Sequence, residues 1–337
     1  MKKLALLLSA SATFVIAFVA SSFVCLPAWA EDCRPLKQVR SLDLNVLPNG
    51  LFTVPVTING SPRQLLFGTG GGYSNLTQSA MESLGLHPNG TYSKLLALNG
   101  NVSQTGVTLD SFVMGGVEAK GLVMMISPRA RIGATGADGV LAGDIMIAYD
   151  EEMDFANKKV LYFLPDHCEG DVVHWTNLSS AVIPFRRPPL GSNIPYDSHI
   201  RFDVVVDGKD VLAMLSTGSA RTTISAKVAD AEFDVNENTP GTVPLGKLGG
   251  RKLVGYAFKT ISFGNISVSN PQIEILPDMI GLNDPNNDFR TDDRSKRVDD
   301  DMGADMIIGM DVLKKLHIYI ATKESNLYVT AAGDRGL

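Results

Sequence analysis

The sequence predicts an all-β protein of two homologous lobes, and three observations carry the prediction. Apolar runs are short and separated by turn signals every few residues, which suits strands better than helices. The stretch VTINGSPRQLLFGTG at 56–70 returns as VVVDGKDVLAMLSTG at 204–218. Two further blocks recur behind it in the same order, so the repeat spans a whole structural unit and not a single hairpin.

Taken from the N-terminus, Lys2 and Lys3, an uncharged apolar run from Leu4 to Cys25, and Ala28-Trp29-Ala30 have the layout of a secretory signal with a small-residue cleavage site, here assigned to residues 1–30. The apolar run is also long enough to span a bilayer, so an uncleaved anchor is the alternative. Phe23 and Val24 before Cys25 argue against a lipidated cysteine. An exported chain, periplasmic or secreted, is therefore expected, without membrane attachment after cleavage. Loss of Lys2 and Lys3 takes the formal charge from −6 to −8, and an acidic chain with no basic face argues against a nucleic-acid partner. Of three cysteines, Cys33 and Cys168 lie beyond the signal; an even pair in an exported protein suggests a disulfide, with two unrelated buried thiols as the alternative.

Within the first block, Asn59-Gly60 and Asp207-Gly208 lie between alternating apolar residues and predict tight β-hairpins. Each hairpin runs into a Thr-Gly turn, Thr69-Gly70 and Thr217-Gly218, at an offset of 148. The second block, FVMGGVEAKGLVMMI (112–126), matches ISFGNISVSNPQIEI (261–275), again two short strands about a Gly turn. The third, DGVLAGDIMIAYDEEMDF (138–155), matches DMIIGMDVLKKLHIYIAT (305–322) and predicts a brief helix after its apolar pair. Asp144 and Asp311 are 167 apart, so the second copy carries an insertion, assigned to the charged stretch 283–301. Its Asp284, Asn286 and Asp288 alternate as in a calcium loop, but Phe289 stands at the glycine position and Ser295 at the closing glutamate, so a polar surface loop is expected instead. The organisation that follows is a first lobe over 31–165, a linker over 166–200 containing the proline-rich FRRPPLGSNIP (185–195), and a second lobe over 201–332.

The order hairpin, Thr-Gly turn, flap-like hairpin, apolar pair and short helix, once per lobe, resembles the retropepsin and pepsin family of aspartic proteases over nearly the whole chain after the signal. The resemblance implies a bilobal fold in which each lobe supplies an Asp-Thr-Gly and the two aspartates meet at the lobe interface. Gly68-Thr69-Gly70 and Ser216-Thr217-Gly218 fall on those motifs. The family's apolar-apolar-Gly element is matched by Ile307-Ile308-Gly309, but the first lobe reads Val140-Leu141-Ala142. Thr69 and Thr217 are similar to the threonines that brace the two turns, and the resemblance places Asp138, Asp144 and Asp311 behind the turns, outside the cleft.

The chemistry of that family needs two carboxylates sharing a proton, one acting as base on water while the other donates to the peptide carbonyl. Gly68 offers no side chain, and the Ser216 hydroxyl cannot deprotonate water at ordinary pH. The five histidines, His87, His167, His174, His199 and His317, show no metal-ligand spacing, and no HExxH, CxxC or GxSxG motif is present, so neither a metal, a cofactor nor a serine nucleophile is expected. The expectation is an inactive pseudoprotease that holds an extended peptide or protein segment in the interlobe cleft beneath a hairpin within 92–112. A partner-docking protein with no cleft ligand and an endopeptidase with a non-standard site are the alternatives. Gly68 is further expected to hold backbone angles that an aspartate would resist.

Overall fold

The computed structural model describes residues 33–71, 73–96, 102–127, 136–146, 148–186, 198–248, 251–277 and 304–333. The signal segment 1–30, the charged insertion 283–301, residues 187–197 of the linker and residues 97–101 lie outside the described residues.

The fold is all-β and bilobal, and the internal repeat is visible in its hydrogen bonding. In the first lobe strand Phe52–Ile58 turns through Asn59-Gly60 into strand Ser61–Phe67; in the second, strand Arg201–Val206 turns through Asp207-Gly208 into strand Lys209–Leu215. All four turn residues have positive φ, the conformation a two-residue hairpin loop requires, which is why Asn-Gly and Asp-Gly stand there. Each outgoing strand then pairs in parallel with the apolar strand of the third block: Leu65 faces Gly139 and Phe67 faces Leu141 in one lobe, Ala213 faces Met306 and Leu215 faces Ile308 in the other. Both Thr-Gly turns therefore leave the sheet at the same register.

Behind each turn a short strand, Asn75–Leu76 or Thr223–Ser225, leads into a helix, Gln78–Ser83 or Ala226–Phe233. Thr77 and Ser225 are the N-caps, their hydroxyls accepting from the amides of Ala80 and Val228. The flap-like element is present in both lobes, as strands Gly90–Leu96 with Val102–Leu109 and as Val243–Leu248 with Arg251–Ala257. The second block contains three strands per lobe and not two: Phe112–Met114, Val117–Ala119 and Leu122–Ile126 are matched by Thr260–Phe263, Ile266–Ser269 and Gln272–Leu276.

A further antiparallel layer joins the lobes. Its strand order is Gln38–Asp43, Lys159–Phe163, Asp150–Asp154, Leu316–Ala321, Asn326–Ala331 and Ala181–Arg186, so it draws on both lobes and on the segment between them. The crossing pair sets Glu152 opposite Tyr319 and Met153 opposite Ile318. Phe185 and Arg186, at the start of the proline-rich stretch, belong to the last strand, whose alternate residues Ala181, Ile183 and Phe185 are buried; this alternation outweighs the proline content there. Cys33 and Cys168 are disulfide-bonded. The approach is fixed by a bridge in which Arg34 N–H donates to Asp166 and Cys168 N–H donates to Arg34.

Candidate functional site

The two Thr-Gly turns meet at the lobe interface and hold each other through their threonines. Thr69 N–H donates to Thr217 Oγ1 at 3.0 Å, and Thr217 N–H donates to Thr69 Oγ1 at 3.1 Å. Each hydroxyl then passes its proton to a carbonyl of the opposite strand, Thr217 to Phe67 at 2.8 Å and Thr69 to Leu215 at 3.4 Å. Both side chains are buried, so these bonds replace water that the turns have lost.

Glycine is required by this closeness. A β-carbon on Gly70 would lie 2.3 Å from Ser216 Oγ, and one on Gly218 would lie 3.5 Å from the α-carbon of Gly68. The requirement is strict at Gly70, which faces the Ser216 side chain, whereas the space at Gly218 beside Gly68 would allow ordinary contact. Each turn is also tied to the strand beside it, Gly68 N–H to Leu141 at 2.9 Å and Ser216 N–H to Ile308 at 3.1 Å.

A matched set of side chains supports the turns from behind. In the first lobe Asp144 accepts from the Ser74 amide at 2.9 Å and its hydroxyl at 2.6 Å, while Ser74 Oγ accepts from Ala142 N–H. In the second, Asp311 accepts from the Thr222 amide at 2.9 Å and its hydroxyl at 2.7 Å, while Thr222 Oγ accepts from Gly309 N–H. Burial pushes the Asp144 carboxyl up from its ordinary value, partly offset by its bonds to Ser74. Asp138 holds the Gln64 amide, on the strand before the first turn. All three acids are therefore engaged in support. The Ala142 departure also has a local reason: a β-carbon on Gly309 would come within 2.3 Å of the Arg221 carbonyl, whereas the first lobe accommodates the Ala142 methyl.

At the two positions that face the interface ahead of the threonines, Gly68 has no side chain and Ser216 Oγ lies 3.1 Å from Ser219 Oγ. The expectation about Gly68 is corrected in one respect. Its φ is not positive, so the backbone admits an L-residue; the obstacle is Val140, whose Cγ1 lies 2.7 Å from where a β-carbon would be.

The histidines are less scattered than their sequence positions suggest. His199 Nε2 lies 3.1 Å from the Gly70 carbonyl and Ser198 Oγ donates to the Gly71 carbonyl at 3.2 Å, so the end of the linker, just ahead of the second lobe, fastens the first turn. Ser198 and His199 immediately precede Ile200, whose carbonyl accepts from Leu215 N–H beside the second turn, so one short segment touches both turns; no local sequence signal marks it. His167, His174 and the sequence-distant His317 converge on the joining layer. Among the described residues no group of His, Cys, Asp or Glu could hold a metal ion.

A family model described as aspartyl protease matches residues 54–145, a segment that contains the first hairpin, the first Thr-Gly turn and the Val140-Leu141-Ala142 element. That segment is aspartic protease-like. Comparison with curated proteins gave no match.

Proposed function

We propose that this protein is a non-catalytic member of the aspartic protease-like group that holds an extended peptide or protein segment between its lobes. The observation that carries the reading is that the paired turns and their threonine bonds are complete while position 68 is glycine and position 216 is serine. Acid–base chemistry at this interface needs two carboxylates close enough to share a proton. The acids next to the turns, Asp144 and Asp311, are committed to Ser74 and Thr222. What the scaffold retains is a pair of edge hairpins that can offer main-chain hydrogen bonds to an extended strand, a mode that needs no titrating group.

The test has two arms. Fluorescence anisotropy of labelled unstructured peptides measures binding, and a cleavage assay across acidic to neutral pH measures turnover. Binding without cleavage supports the reading; cleavage with an acid optimum by the unaltered chain overturns it. In the second arm, Gly68→Asp with Ser216→Asp restores both carboxylates, and Val140→Ala is added to clear the contact at position 68. Gain of acid-dependent cleavage by the triple variant, and not by either single aspartate, is the expected result.

A further inference from the structure

The layer that joins the lobes contains a cluster of buried carboxylates and imidazoles that the cleft does not use. Asp150 and Glu152 come from strand Asp150–Asp154 of the first lobe, and His317 and Tyr319 from strand Leu316–Ala321 of the second. His167 and His174 come from the segment that leaves the first lobe. His167 Nε2 lies 2.6 Å from Asp150 Oδ2, His174 Nε2 2.6 Å from Glu152 Oε2, and His317 Nε2 2.9 Å from Glu152 Oε1. Asp150 also accepts from Tyr319 OH and from Thr322 N–H.

We infer that this cluster is a pH-responsive clasp between the lobes, fastened at mildly acidic pH and loosened as the imidazoles lose their protons. The geometry at His167 requires it. Nδ1 lies 3.0 Å from the Cys168 carbonyl and Nε2 faces the Asp150 carboxylate, and both partners are acceptors. Only the imidazolium, with a proton on each nitrogen, satisfies both at once. The Glu324 carboxylate is a further acceptor 3.6 Å from Nδ1. His167 and Asp150 side chains are 2% and 0% exposed, so water cannot replace a lost donor. At Glu152 the two oxygens take one histidine from each side of the junction, His174 from the segment after the first lobe and His317 from the second lobe. His317 is also stacked flat on Trp175, with centroids 4.1 Å apart.

The other ionisable groups packed around the cluster reinforce the negative field. Tyr319 and Tyr328 are pushed up from their ordinary values, by burial first and then by Asp150 and Glu324 respectively; Glu169 acts on Tyr328 as well. Glu151, between the two cluster acids, acts on Tyr162 in the neighbouring strand. The Arg34–Asp166 pair beside His167 is solvent-exposed. No lysine or arginine bonds to Asp150, Glu152 or Glu324 among the described residues, so His167 and His174 are the counter-charges.

The pH window follows from these contacts. The bond to Glu152 raises the His174 value above 6.5, opposed by burial; at His167 burial lowers it, but the Cys168 and Asp150 bonds outweigh this and the net direction is also upward. A raised histidine contributes stability that is fully present below its unfolded value and is lost as pH rises through the folded one. Glu152 is lowered from 4.5, because its bonds to His174 and His317 outweigh burial, so its contribution is present above that value and lost as pH falls through the folded one. Both contributions are complete between about 4.5 and about 6.5.

The experiment is thermal unfolding of the full chain across pH, paired with proton NMR titration of its imidazoles. The expected result is a Tm highest within that window and falling by several degrees towards alkaline pH, of the order that loss of one such bond produces. Two or more imidazoles should titrate above the ordinary histidine value. His174→Gln, at the half-exposed edge of the cluster, should make the alkaline fall shallower. A Tm unchanged from the window to alkaline pH, with no imidazole titrating above the ordinary value, overturns the clasp; the NMR arm decides this without any variant having to fold. Neither readout depends on peptide binding, so the outcome is independent of the cleft reading.

Discussion

A β-carbon on Gly70 would come within 2.3 Å of the Ser216 hydroxyl and 2.7 Å of the Ser216 β-carbon, so the first turn leaves no room for a side chain against Ser216 of the second. This contact leads to the first prediction. Gly70→Ala must push the turns apart and strain the threonine bonds beside them, and a cost of about 1–3 kcal/mol is expected from overpacking. Denaturant unfolding measures it. Gly60→Ala, at a turn where nothing lies within 4 Å, supplies a control whose cost comes from positive φ alone.

A second prediction concerns the reciprocal threonines. Thr217→Val removes the acceptor for Thr69 N–H and the donor to Phe67, and should cost about 1–3 kcal/mol by leaving buried groups unmatched. Thr69→Val should cost less, because its onward bond to Leu215 is 3.4 Å against 2.8 Å for its counterpart. The two substitutions act on one network, so a double-mutant cycle should show coupling of about 0.5 kcal/mol or more. Strict additivity would mean that the bonds contribute independently.

The third prediction is for the disulfide. Joining Cys33 to Cys168 closes a loop around the first lobe, and chain entropy assigns such a closure about 4–5 kcal/mol. Cys33→Ser with Cys168→Ser should lower the unfolding midpoint accordingly. Thiol titration of the denatured, unreduced protein should find these two cysteines unreactive.

Asp144 provides the fourth. Its folded value is raised by burial, so the folded state holds a proton more tightly than the unfolded one, and this carboxyl's contribution weakens as pH rises through the folded value. Asp144→Asn keeps an acceptor for Ser74 and removes the titration. Relative to the parent, the variant should therefore be more stable at neutral pH than at acidic pH, by equilibrium unfolding at both. Asp144→Ala, which leaves the Ser74 amide and hydroxyl without their acceptor, should be destabilised at both, by about 1–3 kcal/mol.

Much of the fold was legible in the residues because it rests on local conditions. The Asn59-Gly60 and Asp207-Gly208 turns need positive φ, a property of those residue types, and the same offset of 148 marks the N-caps Thr77 and Ser225, a signal that was present and went unread. The paired turns were legible as a repeat. The roles of Asp144 and Asp311 could be placed only by resemblance, since nothing local ties an aspartate to a serine 70 residues earlier or a threonine 89 residues earlier.

The sequence by itself determined the two-lobed repeat, the strand-turn frame and the chemical identity of positions 68 and 216, since each follows from residue type and order. Tertiary structure alone decided that Val140 fills the space beside Gly68, that Ser198 and His199 fasten the first turn, and that the distant His317 joins His167 and His174 at two carboxylates between the lobes. The physical reason is that these relationships depend on strand pairing across the chain, Glu152 opposite Tyr319 above all, which brings together groups 169 and 165 residues apart whose spacing in sequence has no period to reveal them.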